Sequence, residues 1–194
     1  EWVEEAKYQF LLHSKYLTDR KSGLWYHGWT FNGDHNFTEA LWGRGNCWIT
    51  MAIPEFLNIV KCEAGVERYL VQLLTRQVEA LEKYQSKEGM WHTIINDPAS
   101  YLEASATCGF GYGILKAVNT GLIDRRYINC ALKAIKPILD CIDDEGYVDK
   151  VSYGTAMGRE SIQHYKNIEI KRMPYGQAMA ILFLQEAMKV VEND

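Results

Sequence analysis

Apolar residues recur at three- and four-residue steps along most of this 194-residue chain, with polar residues between them. This spacing places apolar side chains on one face of a helix. It predicts six helices, over residues 1–17, 47–61, 65–85, 101–119, 124–141 and 174–191. The alternation that is typical of strands is nearly absent, and short ribbons at 93–95 and 147–148 are the most that the pattern supports.

The predicted helices are of two kinds. Residues 65–85 and 124–141 carry charged side chains on one face, as outer helices do, whereas residues 104–115 and 176–184 are rich in Gly, Ala and Ser. Small residues allow helices to pack closely around an axis. Pro54 predicts a kink, Gly121 a helix stop and Asp124 a helix N-cap. Six helices in three hairpins predict an all-α fold, an arc of an α/α toroid.

A glycine-aromatic turn occurs three times, each followed by a helix start that is rich in small or polar residues. The turns are Lys-Ser-Gly-Leu-Trp-Tyr-His at 21–27, Lys-Glu-Gly-Met-Trp-His at 87–92 and Asp-Glu-Gly-Tyr-Val-Asp at 144–149. The helix starts lie at 42–48, 103–109 and 174–179. Stacked repeats deliver equivalent segments to the same end of the stack. Because these segments carry Trp, His, Arg and Glu, we expect a functional site at that end.

Composition narrows the class of protein. The length fits a single domain over 1–194, a partial toroid. The net charge of -4, without a basic stripe, argues against nucleic acid as a partner. No segment approaches the ~20 apolar residues of a membrane span. Five cysteines without a CxxC pair favour buried free thiols, at Cys47, Cys108 and Cys130, and a reducing, cytoplasmic compartment. No spacing indicates a metal site, and we expect no cofactor.

Four stretches together resemble a known enzyme family. They are Leu-Trp-Tyr-His-Gly-Trp at 24–29, Trp-Gly-Arg-Gly-Asn-Cys-Trp at 42–48, Trp-His at 91–92 with the segment 97–105, and Met-Pro-Tyr-Gly-Gln at 173–177. In this order they resemble the unsaturated uronyl hydrolases of glycoside hydrolase family 105 most, and those of the related family 88 less closely. The resemblance implies an (α/α)6 barrel. A ring of six hairpins of about 60 residues needs about 350 residues, and this chain has about half of that. The resemblance implies that it is the C-terminal half.

The resemblance implies an unusual glycosidase. Such enzymes release Δ4,5-unsaturated galacturonic or glucuronic acid from the non-reducing end of lyase-generated pectin oligosaccharides, by hydration of the C4=C5 double bond. The family's two catalytic Asp residues lie upstream of the His-Gly-Trp motif, by more residues than this chain has there. We therefore expect no catalytic residue on this chain and no activity from it alone. The missing N-terminal half, or self-association, is expected to cover its apolar edge.

Six residues are the candidates for substrate binding: His27, Trp29, Trp42, Arg44, Trp48 and His92. The resemblance assigns Arg44 to the uronate or a nearby sugar oxygen, and its position at a helix start calls for a carboxylate ligand or a buried Asp partner. Trp42 is expected at the mouth, able to stack on a sugar. His27 and His92 also fit roles in holding their loops, and Trp29 and Trp48 are equally compatible with core packing.

Other polar residues have simpler interpretations. Glu103 fits a helix cap, Asp97 a turn before proline and Asp34 a loop tip, although these three would be the pocket-side carboxyls if the chain were complete. Tyr175 and Gln177 are weaker candidates for pocket lining. Thr30, where one family variant has Asp, bears on substrate subclass.

Two other classes of function remain open, and a third is disfavoured. A non-catalytic carbohydrate-binding or truncated scaffold form of the same fold would bind sugar without turnover. A sugar epimerase of the same toroid would use paired His residues, and the Trp-Gly-Arg-Gly-Asn string argues against it. A helical-repeat interaction protein has no need of Trp, His and Arg concentrated in its loops.

Overall fold

The structure, a computed structural model, describes residues 1–191. The helices are α1 (Trp2–Leu17), α2 (Gly43–Ile59), α3 (Ala64–Tyr84), α4 (Ala104–Asn119), α5 (Ile128–Leu132), α6 (Ile135–Leu139), α7 (Gln163–Lys166) and α8 (Pro174–Val191), with a 3-10 turn at Arg125–Tyr127 before α5. The last three residues of the predicted 1–194 domain lie outside the described residues.

Five of the six predicted helices are present, and the largest shifts are at the starts of α2 and α4. Helix α2 begins at Gly43 instead of residue 47 and continues through Pro54 to Ile59. Helix α4 begins at Ala104 because the Glu103 side chain accepts a hydrogen bond from the Ala106 N–H, which makes Glu103 the N-cap. Gly121 has the left-handed φ of +73° that a helix stop requires.

The predicted helix over 124–141 is wrong, because that segment is divided into the 3-10 turn, α5 and α6. Asp124 does cap the turn, through the Arg126 N–H. The Gln85 side chain donates a hydrogen bond to the Cys130 carbonyl. The Ala134 N–H, which would bond that carbonyl in a continuous helix, donates to the Ala131 carbonyl instead. Pro137 cannot donate to the carbonyl four residues before it. These two breaks in the hydrogen-bond ladder separate α5 from α6. The four-residue helix α7 was not predicted.

Within the described range, β pairing occurs only as isolated bridges. Trp42 pairs with Ile94, and Ile142 pairs with Val148, so the two predicted ribbons are reduced to single bridges. The prediction of buried free thiols is confirmed for Cys47, Cys108 and Cys130, which are buried and form no disulfide.

The inner and outer layers follow the predicted division of small and charged residues. Helix α4 is buried at every position except Lys116 and Asn119 and lies between α2 and α8. Its glycines permit this closeness. A Cβ on Gly111 would overlap the Phe183 ring of α8. Helix α3 buries one face and exposes the other, as an outer helix does.

The three repeats share one side-chain clamp between turn and helix. In each, the glycine of the turn has positive φ and the N–H two residues later donates to a side-chain oxygen at the fourth residue of the following helix. The pairs are Trp25 with Asn46 at 2.8 Å, Trp91 with Thr107 at 3.1 Å and Val148 with Gln177 at 3.2 Å. This clamp fixes each aromatic turn on the end of its inner helix.

Asn46 makes the most extensive clamp, and its loss is expected to lower stability. The Nδ2 group also donates to the carbonyls of Trp25 and Trp42, at 2.8 and 2.9 Å. Asn46→Ala leaves the Trp25 N–H and carbonyl without these partners, whereas the Trp42 carbonyl keeps the backbone N–H of residue 46. We therefore expect a loss of about 2 kcal/mol in the free energy of unfolding. Gln177→Ala, at a half-buried position, is expected to lose about half as much. Urea denaturation of both variants measures the difference, and equal losses would contradict the clamp's dependence on burial.

Candidate functional site

The three inner helix starts meet around one buried arginine. Arg44 lies at the second residue of α2, Glu103 caps α4 and Tyr175 is the second residue of α8. The Arg44 Nη1 atom lies 3.8 Å from the Glu103 carboxylate. The Arg44 guanidinium also stands over the rings of Trp42 and Tyr175, 4.8 Å from each centroid. The convergence that the repeat predicted therefore places one residue from each repeat at a common centre.

The Arg44 side chain is 4% exposed, and both of its terminal nitrogens donate to protein acceptors. Its Nη1 donates to the Ser152 carbonyl at 2.9 Å and to the Ser152 hydroxyl at 2.6 Å. Its Nη2 donates to the Tyr153 carbonyl at 2.9 Å and to the Thr155 hydroxyl at 3.0 Å. The carboxylate partner that the helix start calls for is thus Glu103 from this chain. A contact of Arg44 with a uronate stays a prediction.

Glu103 is 1% exposed and is fully engaged. Its carboxylate accepts from the Ser105 hydroxyl at 2.8 Å, the Ala106 N–H at 2.6 Å and the Ser152 N–H at 2.9 Å. The capping role expected from the sequence is confirmed, and the buried ion pair with Arg44 is added to it. Because these donors and Arg44 occupy the carboxylate inside the protein, it is not free to contact a substrate.

Trp42 does not stand at an open mouth. It is 6% exposed, with the His27 ring 4.3 Å away and the Tyr165 ring 5.9 Å away, centroid to centroid. The expectation of an open position is wrong because the segment that carries Tyr165 packs against it. The Trp42 Nε1 group is buried and has no hydrogen-bond partner among the described residues. Stacking of Trp42 on a sugar stays a prediction.

His27 and Trp29 share a cleft of about 290 Å³ with residues of α1. The Trp29 ring lies 5.2 Å from the Tyr16 ring, and Phe31 adds a third, exposed aromatic side chain. His27 is half-buried and its Nδ1 lies 2.6 Å from the Tyr165 hydroxyl. Aromatic faces beside a hydrogen-bonding imidazole fit the alternating apolar and hydroxyl surfaces of a sugar.

The other two candidates lie apart from this cleft. Trp48, on α2, is 47% exposed, which excludes core packing within the described chain. His92 pairs with Leu102, and its Nδ1 lies 2.5 Å from the Ser100 carbonyl. These contacts give His92 the role of holding its loop. The two other carboxyls considered from the sequence have roles outside the cleft. Asp97 pairs with Lys166, and Asp34 lies exposed in the 30–35 turn. The Lys166 ammonium lowers the pKa of Asp97.

Sequence reasoning missed Ser152 and Tyr165. Both lie between residues 149 and 173, in a segment that has no long helix and reaches back to the first repeat. Tyr165 is buried against His27 and Trp42. Gly28 shows how closely this segment packs, because any Cβ there would overlap the Met157 sulfur. The sequence around Ser152 and Tyr165 has no periodic pattern that would have indicated these contacts.

The His27 imidazole makes stability depend on pH. Burial lowers the pKa of His27 to about 4, and the charges of Arg44 and His164 act in the same direction. An unfolded histidine has a pKa near ~6.5. As the pH falls from about 6.5 to 4, the unfolded chain therefore binds a proton that the folded chain does not, and stability falls by about 1–3 kcal/mol. Above pH ~7 the contribution is complete.

Urea denaturation between pH 4 and pH 8 tests this expectation. His27→Asn is expected to flatten the slope in the acid range, whereas His35→Asn, at an exposed turn, leaves it unchanged. If the His27→Asn variant keeps the full slope, another group is responsible.

Comparison with known proteins now adds to the geometry. Residues 1–191 match the sequence profile of the family described as Glycosyl Hydrolase Family 88. The chain belongs to this family. The resemblance drawn from the four motifs is thereby confirmed, and the family 88 match extends over the whole described part of the chain.

Relatives of known sequence show how much of such a protein is present. The chain is 30% identical over 190 residues to an unsaturated rhamnogalacturonyl hydrolase, YesR, of Bacillus subtilis. This match covers 97% of the chain and 53% of that protein. It is 26% identical over 158 residues to an unsaturated 3S-rhamnoglycuronyl hydrolase of an Alteromonas species, covering 38% of it. The chain spans about half or less of the length of these relatives.

Solved structures confirm the fold of this family 88 chain. A possible member of the GH105 family from Salmonella enterica superposes with a TM-score of 0.94 at 50% identity, over 98% of this chain and 50% of that one. An unsaturated glucuronyl hydrolase of Bacillus sp. GL1 superposes with a TM-score of 0.64 at 15% identity and supports the fold alone. The predicted (α/α)6 class is confirmed, and this chain accounts for about half of that barrel.

Among residues 1–191, no helix is both long and apolar enough to cross a membrane. In the same range, no group of three or more His, Cys, Asp or Glu side chains is placed to hold a metal ion.

Proposed function

We propose that this chain is part of an unsaturated uronyl hydrolase, which hydrates the C4=C5 double bond of an unsaturated galacturonic or glucuronic acid at the end of a pectin oligosaccharide. One observation carries the proposal. The motif residues of three repeats converge on one site in a family 88 chain, with an aromatic cleft beside them. The names of the relatives, which refer to unsaturated rhamnogalacturonyl and rhamnoglycuronyl units, support the substrate class.

The proposed reaction needs an acid that these residues do not provide. A carboxylic acid protonates C4, water adds at C5, and the resulting hemiketal opens and releases the neighbouring sugar. The Glu103 carboxylate is buried and occupied by its four partners, and Asp97 is paired with Lys166. The proposal therefore assigns the acid to the half of the barrel outside this sequence. Without that half, we expect no turnover.

This chain would supply part of the substrate-binding wall. In the proposal, His27 hydrogen-bonds the sugar or the attacking water and Trp29 contacts the sugar ring. Trp42 supports His27 from behind, and Arg44 holds the segment at 152–155 in place. Trp48 and His92 stay candidates for contacts further along the oligosaccharide.

The proposal also requires a polypeptide that covers the exposed apolar faces. Helix α8 exposes Ile181 and Met188, and α1 exposes Trp2 and Tyr8. Apolar surface of this kind marks an interface. The remaining half of the barrel is the proposed occupant, with a second copy of this chain as the alternative. The five free cysteines favour the cytoplasm as the proposed compartment.

Calorimetric titration with an unsaturated rhamnogalacturonan disaccharide tests the binding role. We expect the 194-residue chain to bind this disaccharide and Trp29→Ala to weaken binding about tenfold, a loss of about 1.4 kcal/mol. Trp2→Ala is the matched control, because Trp2 is exposed on α1 and does not line the cleft. Equal affinities for the two variants would contradict the assignment of the cleft. Binding that persists without turnover even in a completed barrel would favour the non-catalytic carbohydrate-binding alternative.

A further inference from the structure

Tyr165 occupies a position that connects the third repeat to the first. It lies in α7, is fully buried, and packs its ring against both His27 and Trp42. Its carbonyl accepts a hydrogen bond from the Tyr101 hydroxyl at 3.2 Å. The ring is thus fixed by contacts on several sides, and its hydroxyl group points at the His27 imidazole.

The hydrogen bonds of the Tyr165 hydroxyl determine the direction of the bond to His27. This hydroxyl accepts from the Gly158 N–H at 2.9 Å and lies 2.6 Å from His27 Nδ1. A phenol has one proton to donate. Among the described residues His27 Nδ1 is the only acceptor within reach of that proton, so Tyr165 donates and Nδ1 accepts. Burial raises the pKa of Tyr165, which keeps the hydroxyl protonated.

The second ring nitrogen of His27, Nε2, is not used by the protein in the described range. Nε2 forms no hydrogen bond with any residue from 1 to 191, and it is not one of the buried polar atoms that lack a partner. His27 also lines the aromatic cleft with Trp29. In a neutral imidazole whose Nδ1 accepts, the proton is on Nε2. That N–H is therefore available to an oxygen atom in the cleft.

We propose that Tyr165 is a positioning residue that holds His27 as the Nε2–H tautomer and so makes it a fixed hydrogen-bond donor in the cleft. The inference concerns the site of the proposed function and rests on it for the identity of the acceptor, which is a sugar hydroxyl or the attacking water. It assigns His27 no proton transfer. A donor of fixed tautomer and direction selects an oxygen acceptor at one place on the bound sugar and needs no rearrangement on binding.

The nitrogen chemical shifts of the His27 ring test this assignment on the full chain without substrate. In the protein labelled with nitrogen-15, at pH 7.5, we expect Nδ1 to resonate as an unprotonated ring nitrogen and Nε2 as a protonated one. A wild-type spectrum with the proton on Nδ1 overturns the proposal, whatever the chain's activity. Tyr165→Phe is expected to move both shifts towards a mixture of tautomers.

Tyr101→Phe is the matched control for this experiment. It also removes a tyrosine hydroxyl bonded to Tyr165, at a half-buried position, but through the Tyr165 carbonyl and not through His27. The His27 shifts are expected to stay at their wild-type values in this variant. Equal changes in both variants, or none in Tyr165→Phe, would overturn the role of the Tyr165 hydroxyl. Failure to bind the unsaturated disaccharide with the tautomer as expected would count against the proposed function alone.

Discussion

Replacing Arg44 with methionine is expected to lower the free energy of unfolding by about 3–5 kcal/mol, because the change leaves a buried carboxylate without its cation. Glu103 is 1% exposed, so water cannot take over the role of the guanidinium. The same change removes four donors from the carbonyls and hydroxyls of Ser152, Tyr153 and Thr155. The expected result is a large shift of the urea midpoint.

Two comparisons isolate the buried pair. Arg172→Met removes an exposed arginine that pairs with Asp149 at 2.8 Å, and it is expected to cost less than about 1 kcal/mol. The double variant Arg44→Met with Glu103→Gln removes both charges, so it is expected to recover part of the loss. If Arg44→Met costs no more than Arg172→Met, the ion pair is not the centre of the site.

The second large effect is expected at Gly113, where two inner helices touch. A Cβ added there would lie 2.6 Å from the carbonyl carbon of Thr50, and still closer to its oxygen. Pro54 has no N–H to donate to that oxygen within α2. Gly113 and the Thr50 carbonyl both belong to the backbone of a helix, so neither can move aside. We expect Gly113→Ala to lower the free energy of unfolding by about 3 kcal/mol.

Gly65→Ala provides a control with the opposite sign. Gly65 is in helix α3 and has open space around the position of an added Cβ. Alanine is the better helix former, so this change is expected to stabilise the chain by about 0.5–1 kcal/mol. Thermal or urea denaturation of both variants measures the contrast. Similar changes at the two glycines would contradict the close packing of α2 on α4.

The helices could be predicted where one face stays apolar over several turns. Helices α1, α3 and α8 begin and end within one residue of the predicted bounds, since periodicity alone defines them. The segment at 124–141 was predicted wrongly because its break depends on Gln85, which reaches the Cys130 carbonyl from another hairpin. A local pattern contains no information about such a distant hydrogen bond.

The candidate site was predictable only in part, for the same reason. The repeat brought the helix starts of Arg44, Glu103 and Tyr175 to one place, and the need of Arg44 for an anionic partner followed from the helix dipole. The partner is Glu103 and not an Asp. Ser152 and Tyr165 could not be found, because they lie in an irregular segment whose path is set by tertiary contacts. That segment also covers Trp42, which sequence reasoning had placed at the mouth.

The most direct test of the central claim is turnover by a completed barrel. The matching half of the Salmonella relative, which is 50% identical, is replaced by this chain within the relative's full-length protein. Loss of ultraviolet absorbance of the unsaturated rhamnogalacturonan disaccharide reports hydration of its conjugated double bond. We expect this chimera to consume the disaccharide and the 194-residue chain alone to leave it unchanged. A folded chimera without turnover, or turnover by the chain alone, would contradict the proposed division of the site.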